Sequence, residues 1–387
     1  MPHSLRVVHI LRAPIGGLFR HVCDLVAGQA ARGLDVGVIC DSSLNSPSVE
    51  QQLGALSKQC SLGLHRIPMT RLPSLADMVA VKAVKRLART ARANILHGHG
   101  AKGGAYARLA AHAVNASAVY TPHGGSLHYS RASISGALFL TMEQMLLSRT
   151  DQFVFVCDFE RDAFFRKIGK PKGQVTVAHN GIRPEEITPA IADPAAADLL
   201  YIGELRTLKG VDLLLKSMAA LTERPALTAC IVGGGPDEAE FKALAAKLGL
   251  AGRVTFTGPL PARQAFSRGR LLVVPSRAES LPYIVLEAMA ASLPLVVSRV
   301  GGVPEVLEGY EDLMVCPVAV DPLAAAIDDA LADLRQRQRT ARHLTQRIAT
   351  QFSCARMIDQ VTRAYLKLVQ QPSSATATVY GHPSPAE

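Results

Sequence analysis

Twice along this chain a short apolar run ends in glycine and gives way to a helix, and that repeat limits the fold more than any other feature. "LRVVHIL" (5–11) runs into "IGG", then "LFRHVCDLVAGQAARG", which reads as a helix closed at Gly33, then the strand "DVGVIC". The runs are continuously apolar, as in strands buried on both faces, so they predict a parallel sheet wound with helices. The rhythm continues through "NILHGHG", the helix "AKGGAYARLAAHA", "SAVYTPHG", a helical region to about residue 148, and "DQFVFVC", after which Asp158 is placed to cap "FERDAFFRKIG".

A proline-, alanine- and acid-rich stretch, "RPEEITPAIADPAAAD", then reads as a linker. Beyond it a second winding passes through "LLYIGEL", "LTACIVGGG", "RVTFTG", "LLVVPS" and "LPLVVS". The expected organisation is α/β, with Rossmann-like domains at 1–183 and 198–350, a linker at 184–197, a last helix at 351–370 and a disordered tail at 371–387. Ligands of such folds sit at the carboxyl ends of the strands, here in a central cleft that the two sheets face.

Hydrophobic residues make up 48% and charged residues 19% of the 387, enough for two cores and unlike a disordered chain. Seven cysteines, scattered singly with no CxxC and no histidine at metal spacing, read as reduced core residues. No run reaches the ~20 apolar residues of a membrane span. "MPHSLRVVHILRAPIGG" is interrupted too early for a signal peptide, so a cytoplasmic protein is expected. The charge is uneven: residues 1–185 hold 22 Lys+Arg against 11 Asp+Glu, and residues 186–387 hold 20 against 21, dividing the net +10 into +11 and −1. A basic first half points to an anionic partner, either phosphate groups or a membrane surface.

Four stretches carry candidate chemistry. Gly16 and Gly17 end the first strand where backbone amides at a helix start can approach an anion. "YIGELRTLKGVD" puts Glu204, Arg206 and Lys209 past the first strand of the second winding, where two cations suit a departing diphosphate. "IVGGGPDEAE" lacks the GxGxxG spacing of a dinucleotide site and reads as a turn near a nucleotide. In "RAESLPYIVLEAMA", Glu279 closes a loop, Ser280 is placed to cap, and Glu287 falls about two turns into the next helix among apolar residues. Buried-type carboxylates in such company fit the hydroxyls of a polyhydroxylated molecule, a vicinal diol above all.

The spacing of the two glutamates in "ESLPYIVLEAMAASLPLVVS", with "GELRTLKG" before it and "VGGVPE" after it, resembles the retaining nucleotide-sugar glycosyltransferases of family four, which have the GT-B fold. The resemblance covers nearly the whole chain. It implies C-terminal helices that cross back to the first domain, a ribose diol held by Glu287, sugar hydroxyls contacted by Glu279, and a diphosphate neutralised by Arg206 and Lys209. Gly16, Gly17, Gly203, Gly234, Ser280, Leu281 and Pro282 complete the expected donor site. The chain departs from the family pattern in having Glu204 directly after the strand-end glycine and its arginine two residues later.

The resemblance also matches His123, in "VYTPHGGS", to the family's "HG" element near the donor sugar, as a further catalytic candidate. His97 and His99 in "LHGHGAKGG" read as polar lining of a loop with no third metal ligand evident; His99 and Lys102 are candidates on the acceptor side. No DxD dyad is present, so neither metal nor other cofactor is expected, and side chains are to neutralise the phosphate. Lys82, Lys85, Arg86, Arg89 and Arg92 share one face of a predicted helix, either solvated or docked on anionic lipid.

The expected activity is transfer of a sugar, with retention, from a nucleotide-diphosphate sugar (a UDP-sugar) to an acceptor hydroxyl. A glycan or lipid-linked acceptor in bacterial surface-polysaccharide assembly is what the resemblance favours, with peripheral membrane contact and no nucleic acid. The rivals are a nucleotide-sugar 2-epimerase of the same fold, a dinucleotide-dependent oxidoreductase, and a catalytically silent sugar-nucleotide-binding subunit.

Overall fold

The computed structural model describes residues 5–370, and the expected tail at 371–387 lies outside the described residues. Seven strands form the first sheet: β1 (Arg6–Leu11), β2 (Asp35–Asp41), β3 (Leu64–Ile67), β4 (Ile95–His99), β5 (Ser117–Thr121), β6 (Gln152–Phe155) and β7 (Gln174–Val177). Six form the second: β8 (Ala197–Ile202), β9 (Ala229–Val232), β10 (Val254–Gly258), β11 (Gly269–Val274), β12 (Leu295–Ser298) and β13 (Met314–Val315). The orders are β3-β2-β1-β4-β5-β6-β7 and β10-β9-β8-β11-β12-β13, with the paired strands parallel. In each sheet the chain starts in the interior, winds to one side, then returns to wind to the other. The switch points lie between β1 and β4 and between β8 and β11, which is where such sheets open a crevice for ligands.

Alternation along β1 shows why the sheet needs helices on both faces. Val7 and Leu11 pack with Phe19, Val22 and Leu25 of the helix Gly16–Ala31, whereas Val8 and Ile10 pack with Val84 and Tyr106 on the other side. Each such side chain taken fully out of water contributes roughly 1.5–3 kcal/mol. The last helix, Cys354–Gln370, returns to the first sheet, where Met357, Ile358, Val361 and Tyr365 join the cluster around Phe19. The crossing is pinned by Ile182 N donating to Phe352 O and Cys354 N donating to Ile182 O, both 2.8 Å. Gly181 permits it, because a Cβ there would meet the Cys354 nitrogen at 2.5 Å.

Several local expectations are corrected. The helical region before residue 150 is one helix, Ile134–Met145, with short 3₁₀ turns on either side. Cys157, not Asp158, occupies the N-cap of the helix Asp158–Lys167; its sulfur accepts from Glu160 N, and Asp158 N donates to Glu305 Oε2 at 2.9 Å. Part of the linker is anchored, since Ala190 N bonds Ala291 O at 2.7 Å. The basic helix is Ala76–Thr90, leaving Arg92 beyond its end in a left-handed conformation. Cys316 is exposed and Cys23 half-buried, so the cysteines are not uniformly core residues. Among the described residues no helix is long and apolar enough to cross a membrane.

Candidate active site

The carboxyl ends of both sheets open on one cavity of about 560 Å³. Gly16 and Gly17 line its first-domain side, where Gly16 (φ +69°) starts a helix whose N-cap, Ile15, makes no side-chain bond to the first amides. Those amides and the helix dipole leave roughly half a positive charge facing the cavity. A Cβ at Gly17 would stand 3.3 Å from the Tyr283 ring, so little room separates the two halves here.

Opposite this edge, Lys209 Nζ donates to both oxygens of Glu279 at 2.7 and 2.9 Å, and Ser276 Oγ donates to Glu279 at 2.7 Å. The tight turn Thr207–Lys209 ends in Gly210 (φ +76°), where a Cβ would meet Pro275 O at 1.9 Å; only glycine lets the loop lie over the end of β11 and bring Lys209 to Glu279. Arg206 is exposed and lines the cavity with no ion pair among the described residues. Gly203, Ser280, Leu281 and Pro282 line it too. Ser280 is not a cap: the helix Tyr283–Ala290 follows Pro282 as its N-cap, and Ser280 Oγ donates instead to Glu160 Oε1 at 3.2 Å. Glu287 therefore lies just over one turn into its helix.

Glu287 reaches the cavity in partnership with a residue the sequence reading missed. Arg20, from the first helix, donates to Glu287 across the interdomain gap, donates to Glu186 at 2.6 Å, and lies 4.5 Å over the Tyr283 ring. Burial raises the Glu287 carboxyl above its usual range, against the pull of Arg20. Burial would lower the Arg20 guanidinium, yet its acidic neighbours, Glu287 foremost, raise it. A single basic residue in an amphipathic helix carries no local signal, and only the facing domain reveals what Arg20 holds.

His123 lines the cavity at φ +53°, an uncommon conformation for a residue with a side chain, in a turn continued by Gly124 and Gly125. The turn is held by Glu160, which accepts from Gly124 N and from Val156 N at 2.9 Å; burial pushes this carboxyl up to about 7. Asn180, also missed, lines the cavity and donates to Leu281 O at 2.9 Å, a further interdomain bond.

Four residues singled out from the sequence lie elsewhere. Gly234 is off the cavity, its carbonyl accepting from Leu205 N, and its neighbours Gly233 and Gly235 pack against the backbone of Gly203 and Leu205 too closely for any Cβ. The glycine triplet thus serves loop-to-loop packing. Lys102 is bound to Asp77 at 2.8 Å and to Leu72 O at 3.0 Å beside a separate pocket. His97 and His99 belong to β4, not to a loop, and are 0% and 1% exposed; parallel register brings β1 alongside, so His9 supplies the third imidazole that the sequence seemed to lack.

Two family models match the chain in succession: "Glycosyltransferase Family 4" over residues 15–186 and "Glycosyl transferases group 1" over residues 185–347. A glycogen synthase of Mycobacterium tuberculosis is 28% identical over 384 aligned residues, 91% of each chain. A D-inositol 3-phosphate glycosyltransferase of Mycolicibacterium smegmatis is 25% identical over 423 aligned residues, covering 100% of this chain and 94% of that one. Among solved structures, sucrose-phosphate synthase from Thermosynechococcus elongatus superposes with a TM-score of 0.79 at 21% identity, covering 94% of this chain and 99% of that one. The Anabaena protein HepE in complex with UDP and glucose gives 0.78 at 17%, covering 93% and 99%. Two doubly wound sheets around one cleft, matched in succession over residues 15–347 by these models, place the chain in family four of the glycosyltransferases, with the GT-B fold.

Proposed function

We propose that the protein transfers a sugar, with retention at the anomeric carbon, from a nucleoside-diphosphate sugar to an acceptor hydroxyl, and that the donor is a UDP-sugar. The observation that carries this reading is the cavity's charge layout: Lys209 and Arg206 with Glu279 and Glu287 on the second-domain wall, and the uncapped amides of Gly16 and Gly17 on the other. A diphosphate between those walls meets positive potential from both sides, and the carboxylates suit sugar and ribose hydroxyls. The anomeric bond breaks as negative charge gathers on the leaving diphosphate, where Lys209, Arg206 and the helix amides stabilise it. In a front-face reaction the departing phosphate oxygen takes the acceptor's proton, so no side-chain base is needed and these residues do the work assigned elsewhere to a metal. Relatives are consistent with a UDP donor, HepE having been solved with UDP and glucose.

The acceptor side favours a glycan or lipid-linked substrate at an anionic membrane, in bacterial surface-polysaccharide assembly. On the helix Ala76–Thr90, exposed Met78 and Val79 continue into exposed Lys82, Arg86 and Arg89, with Leu75 (80% exposed) just ahead. An apolar tip followed by a cationic face matches a lipid surface, each cation near it contributing about 1 kcal/mol. The donor reading is tested by a thermal-shift panel of nucleotides and nucleotide sugars: UDP-sugars are expected to raise the melting temperature, and indifference to every nucleotide sugar would refute it. Incubation with UDP-sugar alone separates transferase from 2-epimerase, since an isomerised donor without acceptor identifies the latter.

A further inference from the structure

Five imidazoles crowd the carboxyl end of the first sheet, and three form a line that the transfer chemistry leaves unused. His9 Nδ1 lies 3.0 Å from His99 Nε2, and His99 Nδ1 lies 3.1 Å from His123 Nε2. At the inner end His9 Nε2 lies 2.9 Å from Gln29 Oε1. His9, His99 and Gln29 are at most 1% exposed, and burial keeps the imidazoles neutral: His9 is held down at about 4, His99 and His123 well below the usual range. A neutral imidazole has one N–H and one lone pair, so a bond between two of them has a direction.

Gln29 sets that direction. Its carbonyl oxygen only accepts, so His9 is protonated on Nε2 and accepts at Nδ1. His99 must then donate from Nε2 and accept at Nδ1, and His123 must donate from Nε2. The amide nitrogen of Gln29 is turned toward the Tyr365 phenol, short of regular hydrogen-bond geometry. That phenol bonds His97 Nδ1, and His97 Nε2 bonds Thr121 Oγ1 at 2.8 Å. The reversed amide would donate to His9 Nε2 and turn every bond of the line round, leaving the proton of His123 on Nδ1. Among the described residues, Nδ1 of His123 has no hydrogen-bond partner, and His123 lines the cavity.

We propose that Gln29, His9 and His99 are positioning residues: a buried hydrogen-bonded line that fixes His123 as the Nε2–H tautomer, leaving a lone pair on Nδ1 to accept a hydroxyl of the sugar. The same lone pair repels phosphate oxygens, so the diphosphate is directed to the cationic wall. A wrong tautomer in otherwise intact geometry is costly, as serine-protease triads show. His21 is outside the line: its Nδ1 donates to Asn180 Oδ1 at 3.0 Å, and its buried Nε2 has no partner. Nitrogens of His21, His99 and His123 lie within 4.8 Å of one another, so a divalent ion is the competing occupant. An ion held by the facing nitrogens of His99 and His123 needs a lone pair on both, which the line forbids.

The test is long-range ¹H–¹⁵N NMR on the full chain labelled at histidine, without substrate. His123 is expected to carry its proton on Nε2. His99→Leu should mix its two tautomers, whereas His99→Asn, with an amide oxygen near the lost Nδ1, should retain Nε2–H; Gln29→Met is the second variant if His99→Leu does not fold. The catalytic consequence alone rests on the transferase reading: His99→Leu is expected to lower kcat about tenfold at nearly unchanged donor KM, with His99→Asn recovering most of it. A proton on Nδ1 in the unaltered protein, a tautomer indifferent to these replacements, or stoichiometric Zn²⁺ binding that removes the N–H signals would each overturn the proposal. The spectroscopic outcome stands whether or not glycosyl transfer is ever detected.

Discussion

The two sheets present chemically opposite edges to one cleft. The second domain offers charge: Lys209, Arg206 and Glu279 on loops, and Glu287 on the helix Tyr283–Ala290, all partly open to solvent. Apart from Arg20, whose charge is paired with Glu287 and Glu186, the first offers neutral, buried hydrogen-bonding groups, its histidines joined in a chain behind His123. The difference teaches how the fold divides labour. Charge is effective where it meets the developing charge of a leaving group and can still be solvated before substrate arrives, whereas a neutral imidazole is useful where direction matters more than field strength.

The comparison is broken most directly at the charged edge. Lys209→Ala is expected to lower turnover at least about a hundredfold, since one lost leaving-group contact typically costs on the order of 3 kcal/mol of barrier. Steady-state kinetics measures it, and near-normal kcat would refute the role. Glu287→Ala should weaken donor affinity about tenfold, with a smaller change in kcat, as expected for a hydrogen bond to a charged group. Calorimetric titration with the nucleotide sugar reads this out, and unchanged affinity would move the ribose contact elsewhere.

Acid sharpens the comparison by acting on the neutral edge. His9 and His21 are held at about 4 by burial, against 6.5 when free. The unfolded chain therefore binds more protons in this window, and stability that is fully present above pH 6.5 is lost as the pH falls toward 4. Among the described residues the second domain buries no histidine, so calorimetry at pH 5 should show the first domain's transition lowered more than the second's. Equal shifts would contradict the assignment. The smallest effect concerns the outer face: Lys82→Glu with Arg86→Glu should reduce co-sedimentation with anionic vesicles severalfold at low salt, with little loss of turnover on a water-soluble acceptor.

Local pattern made much of this legible. The glutamate pair at 279 and 287 stood out because carboxylates in an apolar run need a use, and both line the cleft. Lys209 stood out because it follows a strand end. Lys102, placed by the same logic, is neutralised by Asp77, a residue 25 positions away that no local rule connects to it. The spacing of "VGGGP" does not fit a dinucleotide fingerprint, yet the part these glycines play in loop packing depends on Gly203 and Leu205 approaching from the loop after β8.

The order of apolar runs, turns and helices determined two parallel sheets, because hydrophobic periodicity is a property of neighbouring residues and the chain has few other ways to bury continuous apolar strands. Only the tertiary structure decided that Arg20 meets Glu287 across 267 positions and that His9, His99 and His123 fall in line. Such contacts come from strand register and from the meeting of two domains; neither leaves a periodic trace in the residues that take part.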